Sequence, residues 1–205
     1  MKGSVIFEGQ ELFPSKVVCV GRNYKEHIDE LKNEIPSSMV LFLKPNSSIS
    51  KELYYISEDC HYECEISFLI KNGKIAAVAL GLDLTKRDLQ KALKTKGLPW
   101  ERAKAFDNAA VFGEFIAIDE VDTLNFELFI NGELKQKGFT EEMIYKPLEI
   151  LKEISSFMSL VDNDIVMSGT PSGVGRYKEG DTFHAKLFQK EKLIKEYIWS
   201  VKGEK

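Results

Sequence analysis

The sequence predicts an α+β protein, mainly β and mainly antiparallel, with a few short helices. Three observations carry that expectation. Seven short runs rich in β-branched and aromatic residues read as strands, at residues 16–20, 39–43, 65–70, 75–80, 125–130, 164–167 and 182–188. Two Asn-Gly pairs, Asn72-Gly73 and Asn131-Gly132, stand beside apolar runs and mark tight hairpins. Helical patterns are few and do not alternate with strands, so the chain does not read as βαβ units.

In order along the chain, the run at 16–20 is followed by a charged helical pattern at 24–33 and a strand at 39–43. The 65–70 and 75–80 runs pair across Asn72-Gly73. A helix is expected over 85–94, with Thr85 and Asp88 arranged like an N-terminal cap. The strand at 125–130 turns at Asn131-Gly132. A third helix covers 144–158, and Pro147 sits near its start, where proline is tolerated. The turn Val161-Asp162-Asn163 leads into the strand at 164–167. Asn163 in that turn tolerates the left-handed backbone.

The 205 residues fit a single domain, 1–205, with a sizeable core; 43% are hydrophobic. Net charge is −4 and no basic face stands out, which argues against nucleic acid as a partner. The longest apolar run, 75–82, is too short to span a bilayer, so no membrane partner is expected. Glu8 interrupts any signal-peptide core, and the expected location is cytoplasmic. Cys19, Cys60 and Cys64 form no C-x-x-C pair; their odd number argues against a disulfide framework and for a reducing compartment.

Chemistry concentrates in His61-Tyr62-Glu63-Cys64-Glu65-Ile66 and Leu82-Asp83-Leu84-Thr85. Glu63 and Glu65 are two apart and share one face of a strand, while Cys64 faces the core on the other. Two adjacent carboxylates repel and lose hydration when covered, so a chain that buries them needs a compensating cation. All-oxygen ligation suits Mg²⁺, Mn²⁺ or Ca²⁺, and Asp83 can complete the set. Spacing alone favours a solvated strand edge, but the apolar flank of Ile66, Phe68, Leu69 and Ile70 argues the other way. A second group lies in Gly21-Arg22-Asn23-Tyr24-Lys25-Glu26-His27-Ile28-Asp29-Glu30. His27 and Glu30 are three apart, so on a helix the glutamate can orient the imidazole as a general base. On spacing alone a solvated helix face explains the same residues.

Several motifs are excluded. Gly169-Thr170-Pro171-Ser172-Gly173-Val174-Gly175 lacks the Lys-Ser/Thr of a P-loop, the third glycine of a dinucleotide fingerprint and the flanking glycines of a nucleophile elbow. It is either a tight turn or a loop whose N–H groups face an anion. Asp162-Asn163-Asp164 resembles the start of a calcium loop, but Val166 and Met167 replace a ligand and the glycine.

Six ordered stretches, GRNYKEHIDE, LFLKP, HYECEISFLI, GLDLTKRDLQ, WERAKAFD and SGTPSGVG, run from Gly21 to Gly175. In that order they resemble the fumarylacetoacetate hydrolase superfamily, in its short branch of acylpyruvases, fumarylpyruvate hydrolases and oxaloacetate decarboxylases and tautomerases. The resemblance implies a mixed β-sandwich roll, normally a homodimer. It implies Glu63, Glu65 and Asp83 as ligands of Mg²⁺ or Mn²⁺, with Ca²⁺ able to replace them in crystals. His27 and Glu30 match the catalytic dyad, carried on a lid over 24–30 that orders on ligand binding, and Lys104 matches the lysine at the reacting oxygens. Arg87, Gln90 and Thr170 match substrate-holding positions, as does Lys44 of the F-L-K-P motif. Little apolar surface is expected on the lid. The implied substrate is a small 2-oxo acid. Metal-dependent hydrolysis of a C–C bond in a 2,4-dioxo acid, through an enolate, is the first expectation. Decarboxylation or keto–enol tautomerisation of oxaloacetate is the alternative, and a non-catalytic binding protein a remote third.

Overall fold

The computed structural model describes residues 3–30 and 36–203. Its largest sheet runs, from edge to edge, Val40–Pro45, Lys16–Gly21, Ile165–Met167, Cys64–Lys71, Lys74–Asp83, Ala110–Phe112 and Ile49–Ser50, with Ile116–Ala117 also paired to Lys74–Asp83. Most pairings are antiparallel. Ile165–Met167 lies parallel to Lys16–Gly21, and Ala110–Phe112 parallel to Ile49–Ser50, so the sheet is mixed. The central strand Cys64–Lys71 is buried at every residue but the last. A strand covered on both faces carries apolar residues on each, as Ile66, Phe68, Leu69 and Ile70 do here.

A second sheet, ordered Glu133–Phe139, Leu124–Ile130, Thr182–Gln189 and Lys192–Ser200, is entirely antiparallel. Along Leu124–Ile130 buried and half-buried residues alternate; Leu124, Phe126, Leu128 and Ile130 face inward. Residues of both sheets join one buried apolar cluster. Both predicted hairpins form. Asn72-Gly73 and Asn131-Gly132 all have positive φ, as a type I′ turn requires. Asn163 is likewise left-handed, at φ 73°. The three cysteines are free and buried.

Among the described residues four α-helices accompany the sheets: α1 (Lys25–Glu30), α2 (Arg87–Thr95), α3 (Glu101–Lys104) and α4 (Pro147–Phe157). Three expectations need correction. Helix α2 starts at Arg87, because Thr85 belongs to the strand Thr85–Lys86 and its hydroxyl is spent on Glu63 rather than on a cap. Helix α4 starts at Pro147; the Glu149 carboxylate accepts the Lys146 N–H (2.8 Å) and closes its first turn. The lid is not poor in apolar contact, since Tyr24 and Ile28 are buried and anchor α1 to the body. The expected extension of α1 to Asn33 lies outside the described residues. Among the described residues no helix is long and apolar enough to cross a membrane.

Candidate active site

Antiparallel register assembles the acidic cluster. Cys64 pairs with Leu82 and Glu65 with Gly81, and the Asp83 N–H donates to the Glu63 carbonyl (2.8 Å). Glu63, the residue that links Cys60–Tyr62 to Cys64–Lys71, and Glu65 and Asp83, from neighbouring strands, are therefore brought together. They are 5%, 2% and 1% exposed, and one oxygen from each lies within 4.8 Å of the others. A solvated strand edge is thereby ruled out.

Cations answer part of this charge. Lys104, at the end of α3, donates to Glu63 Oε2, Asp83 Oδ2 and Thr85 Oγ1, each at 2.6 Å. Arg87 donates to Glu63 through Nη2 and to Gln90 through Nη1. Burial raises the Glu63 carboxyl, but Lys104, Arg87 and His27 outweigh it and hold it well below the usual carboxylate range. Glu65 is different. Its carboxylate accepts the Gly169 N–H (2.8 Å) and makes no salt bridge among the described residues. Burial, Asp83 and Glu63 push its carboxyl well above the usual range. Asp83 Oδ1 lies 2.8 Å from Lys44 Nζ but accepts no hydrogen bond, because Lys44 donates to the carbonyls of Leu84, Lys104 and Ala109. Glu65 thus lacks a counter-cation among the described residues and Asp83 Oδ1 lacks a hydrogen-bond donor, in a donor set made of carboxylates. That set fits a hard divalent cation.

His27 is 5% exposed. Its Nδ1 lies 3.2 Å from Glu30 Oε2, and its Nε2 looks toward Glu63 Oε1 at 3.9 Å. Burial lowers its pKa more than Glu63 and Glu30 raise it, so the ring is neutral near pH 7. Glu30 also accepts the Gly173 N–H (3.0 Å). Gly173 has φ +95°, and a β-carbon there would sit 2.0 Å from the Lys135 carbonyl oxygen, so only glycine fits. The glycine-rich loop does face anions. They are the chain's own Glu65 and Glu30.

These groups line one pocket, with Arg22, Phe42, Gln90, Lys94, Trp100 and Thr170 also in its wall. Of the sequence-derived set, His27, Glu63, Glu65, Asp83, Arg87, Gln90, Lys104 and Thr170 meet there, and Glu30 braces His27 from behind. Lys44 does not line the pocket. It is fully buried behind Asp83 with its amine turned to backbone carbonyls, which corrects its placement among the substrate-holding residues. Sequence reasoning missed Gln136 and Asn23. Gln136 is 1% exposed; its Oε1 accepts the Cys64 N–H (2.9 Å) and its Nε2 donates to Thr170 Oγ1 (2.8 Å) and the Pro171 carbonyl (3.1 Å). It joins the Glu63–Glu65 segment to the glycine-rich loop. Asn23, fully buried, donates to the Ser168 and Tyr145 carbonyls and holds the start of α1. The available signal was Gln136 on the inward face of an alternating strand, where an amide needs partners.

The family model for the C-terminal domain of fumarylacetoacetate hydrolase matches residues 16–196. The chain belongs to the fumarylacetoacetate hydrolase family. It is 40% identical over 185 residues to a mitochondrial oxaloacetate decarboxylase of Dictyostelium discoideum, covering 80% of this chain and 85% of that protein. It is 38% identical over 187 residues to an oxaloacetate tautomerase of Escherichia coli, covering 82% and 85%. Among solved structures it resembles a fumarylpyruvate hydrolase of Pseudomonas aeruginosa in complex with Mn²⁺ and pyruvate. That match has a TM-score of 0.88 and 28% identity over 99% of this chain and 97% of that one. The protein is an enzyme of this family, and its α+β, mainly β fold is the family's.

Proposed function

We propose that this enzyme interconverts the enol and keto forms of oxaloacetate, with Mg²⁺ or Mn²⁺ held by Glu63, Glu65 and Asp83. The carrying observation is a neutral, glutamate-oriented imidazole aimed into a pocket that concentrates positive charge beside three buried carboxylates. The printed activities of the Escherichia coli and Dictyostelium relatives support oxaloacetate as the substrate. The order expected from sequence therefore reverses, and hydrolysis of a 2,4-dioxo acid becomes the second reading.

When bound, the divalent ion supplies Lewis-acid charge that stabilises an enolate. The other roles belong to the chain. Arg87 Nε is buried without an acceptor among the described residues and is free to take a substrate carboxylate oxygen; Gln90 and Thr170 flank it. Lys104 places its ammonium where the 2-oxo oxygen develops charge. His27 Nε2 carries the proton between solvent and C3. Ketonisation adds a proton at C3 and removes one from the enol oxygen, so atoms balance without water or a second substrate. Glu30 fixes the ring's tautomer through Nδ1 and stabilises the imidazolium.

The second reading rests on the fumarylpyruvate hydrolase neighbour and on the same dyad, which can activate water as well as move a proton. The test is to mix the enzyme and Mg²⁺ with enol-oxaloacetate and to follow enol loss, CO₂ release and pyruvate together. Enol loss accelerated well beyond CO₂ release supports the tautomerase, and equal rates select decarboxylation. Inertness toward oxaloacetate with pyruvate release from fumarylpyruvate selects hydrolysis. A single domain over 1–205, a homodimer and a cytoplasmic location carry over as parts of the proposal; light scattering tests the dimer.

A further inference from the structure

One side of the pocket carries a positive charge that the roles above leave unused. Arg87, Gln90 and Lys94 recur at spacings of three and four along α2 and so share one helix face. Arg87 and Gln90 lie at the inner end of that face. Lys94 lies about 10 Å further along the axis, and helical side chains lean back toward the N-terminus, which brings its amine toward Arg87. All three line the pocket.

Lys94 differs from the other pocket cations. Lys104 and Arg87 are bonded to Glu63, and Lys104 also to Asp83. Lys94 makes no salt bridge among the described residues, and its ammonium lies 4.6 Å above the Trp100 ring. Burial, then the like charges of Arg22, Arg87 and Lys104, lower its pKa to about 8, with only Glu63 opposing them. Arg22, which lines the same pocket, holds a left-handed backbone at φ 59°, which a residue with a β-carbon adopts at a cost. A half-buried ammonium facing cations, with an aromatic floor and no salt-bridged carboxylate among the described residues, is arranged for an anion that arrives with the ligand.

We propose that Lys94, with Arg22 beside it, seats the second carboxylate of the substrate and makes the pocket selective for dicarboxylate 2-oxo acids over monocarboxylate ones. This rests on the oxaloacetate reading and deepens it. The inner carboxylate and oxo group occupy the Arg87–Lys104 end, and the distal carboxylate reaches toward Lys94. Trp100 holds the lysine stem upright and excludes water from one side of the ion pair.

The test is calorimetric titration of the Mg²⁺-loaded protein with 3,3-difluoro-oxaloacetate, a dicarboxylate, and with pyruvate, a monocarboxylate. Lys94→Gln should weaken the dicarboxylate about 10-fold or more, the scale of one lost charge-assisted hydrogen bond, and pyruvate less than about 2-fold. Lys94→Arg should recover most of the loss. Equal weakening of both ligands, no weakening of either, or failure of either ligand to bind wild type overturns the proposal. A wild type that keeps the Lys94-dependent preference but does not turn over enol-oxaloacetate supports this seat and overturns the tautomerase. Turnover without any Lys94 effect does the reverse.

Discussion

Lys44→Met tests how the acidic cluster is supported from behind. Lys44 is fully buried, and its ammonium satisfies the carbonyls of Leu84, Lys104 and Ala109 while lying 2.8 Å from Asp83 Oδ1. Methionine has nearly the same shape and none of the donors. The Ala109 carbonyl keeps the Leu84 N–H (2.9 Å), so the loss falls mainly on the Leu84 and Lys104 carbonyls. Two buried acceptors left short cost about 2–6 kcal/mol. Asp83 also loses one of two counter-charges, although Lys104 still holds Oδ2. Removing the ammonium relieves its own desolvation, which offsets part of the sum. Breaking one side of a buried pair typically nets about 3–5 kcal/mol, and we expect that range. For a chain of this size the drop in Tm is about 6–20 °C. Urea and thermal unfolding, each with and without Mg²⁺, measure it. Mg²⁺ should stabilise the variant more than wild type, because a cation at Asp83 then replaces the missing charge. A loss under about 1 kcal/mol, or no added benefit from Mg²⁺, refutes the support role.

His27→Ala should lower ketonisation by about 10²–10⁴-fold while Mg²⁺ affinity, read by calorimetry, stays near wild type; unchanged turnover removes His27 from the mechanism. Asp164 gives a pH prediction. Burial raises its pKa, but Lys16, Ser15 and the Val161 N–H outweigh burial and hold it below its ordinary value. A depressed carboxylate contributes stability that is present above the unfolded pKa and lost as pH falls through the folded one. Asp164→Asn should therefore cost about 1–3 kcal/mol at pH 7, and the gap from wild type should close below about pH 4. A gap of constant size across that range contradicts the assignment.

Local pattern carried the parts of this structure that local physics decides. The Asn72-Gly73 and Asn131-Gly132 hairpins follow from the positive φ that those residues accept, and the buried strand 65–70 from Ile66, Phe68, Leu69 and Ile70. The site was legible because E-x-E fixes two carboxylates on one face before any partner is known. What escaped depends on distant partners. Thr85 has the sequence environment of a cap, but Glu63 and Lys104 claim its hydroxyl across the sheet. Gly169 meets Glu65 across 104 residues and Gly173 meets Glu30 across 143, so the loop's anions could not be read from its own composition. Gln136 looks like one polar residue in a charged strand until the Cys64 N–H and Thr170 stand against it. Lys44 sits in a motif that suggests substrate contact, and only the fold shows its three donors already used.

The central claim is that Glu63, Glu65 and Asp83 hold a divalent ion on which oxo-acid chemistry depends. The most direct measurement is Mg²⁺ titration of chelator-stripped wild type and Glu65→Gln, with enol-oxaloacetate ketonisation followed at each addition. Wild type should bind one ion per chain, with activity rising in step with occupancy. Glu65→Gln should neither bind in that range nor gain activity, although relief of carboxylate repulsion should leave it at least as stable as stripped wild type. Full ketonisation by the stripped wild type, or Mg²⁺ binding undiminished in Glu65→Gln, would contradict the account.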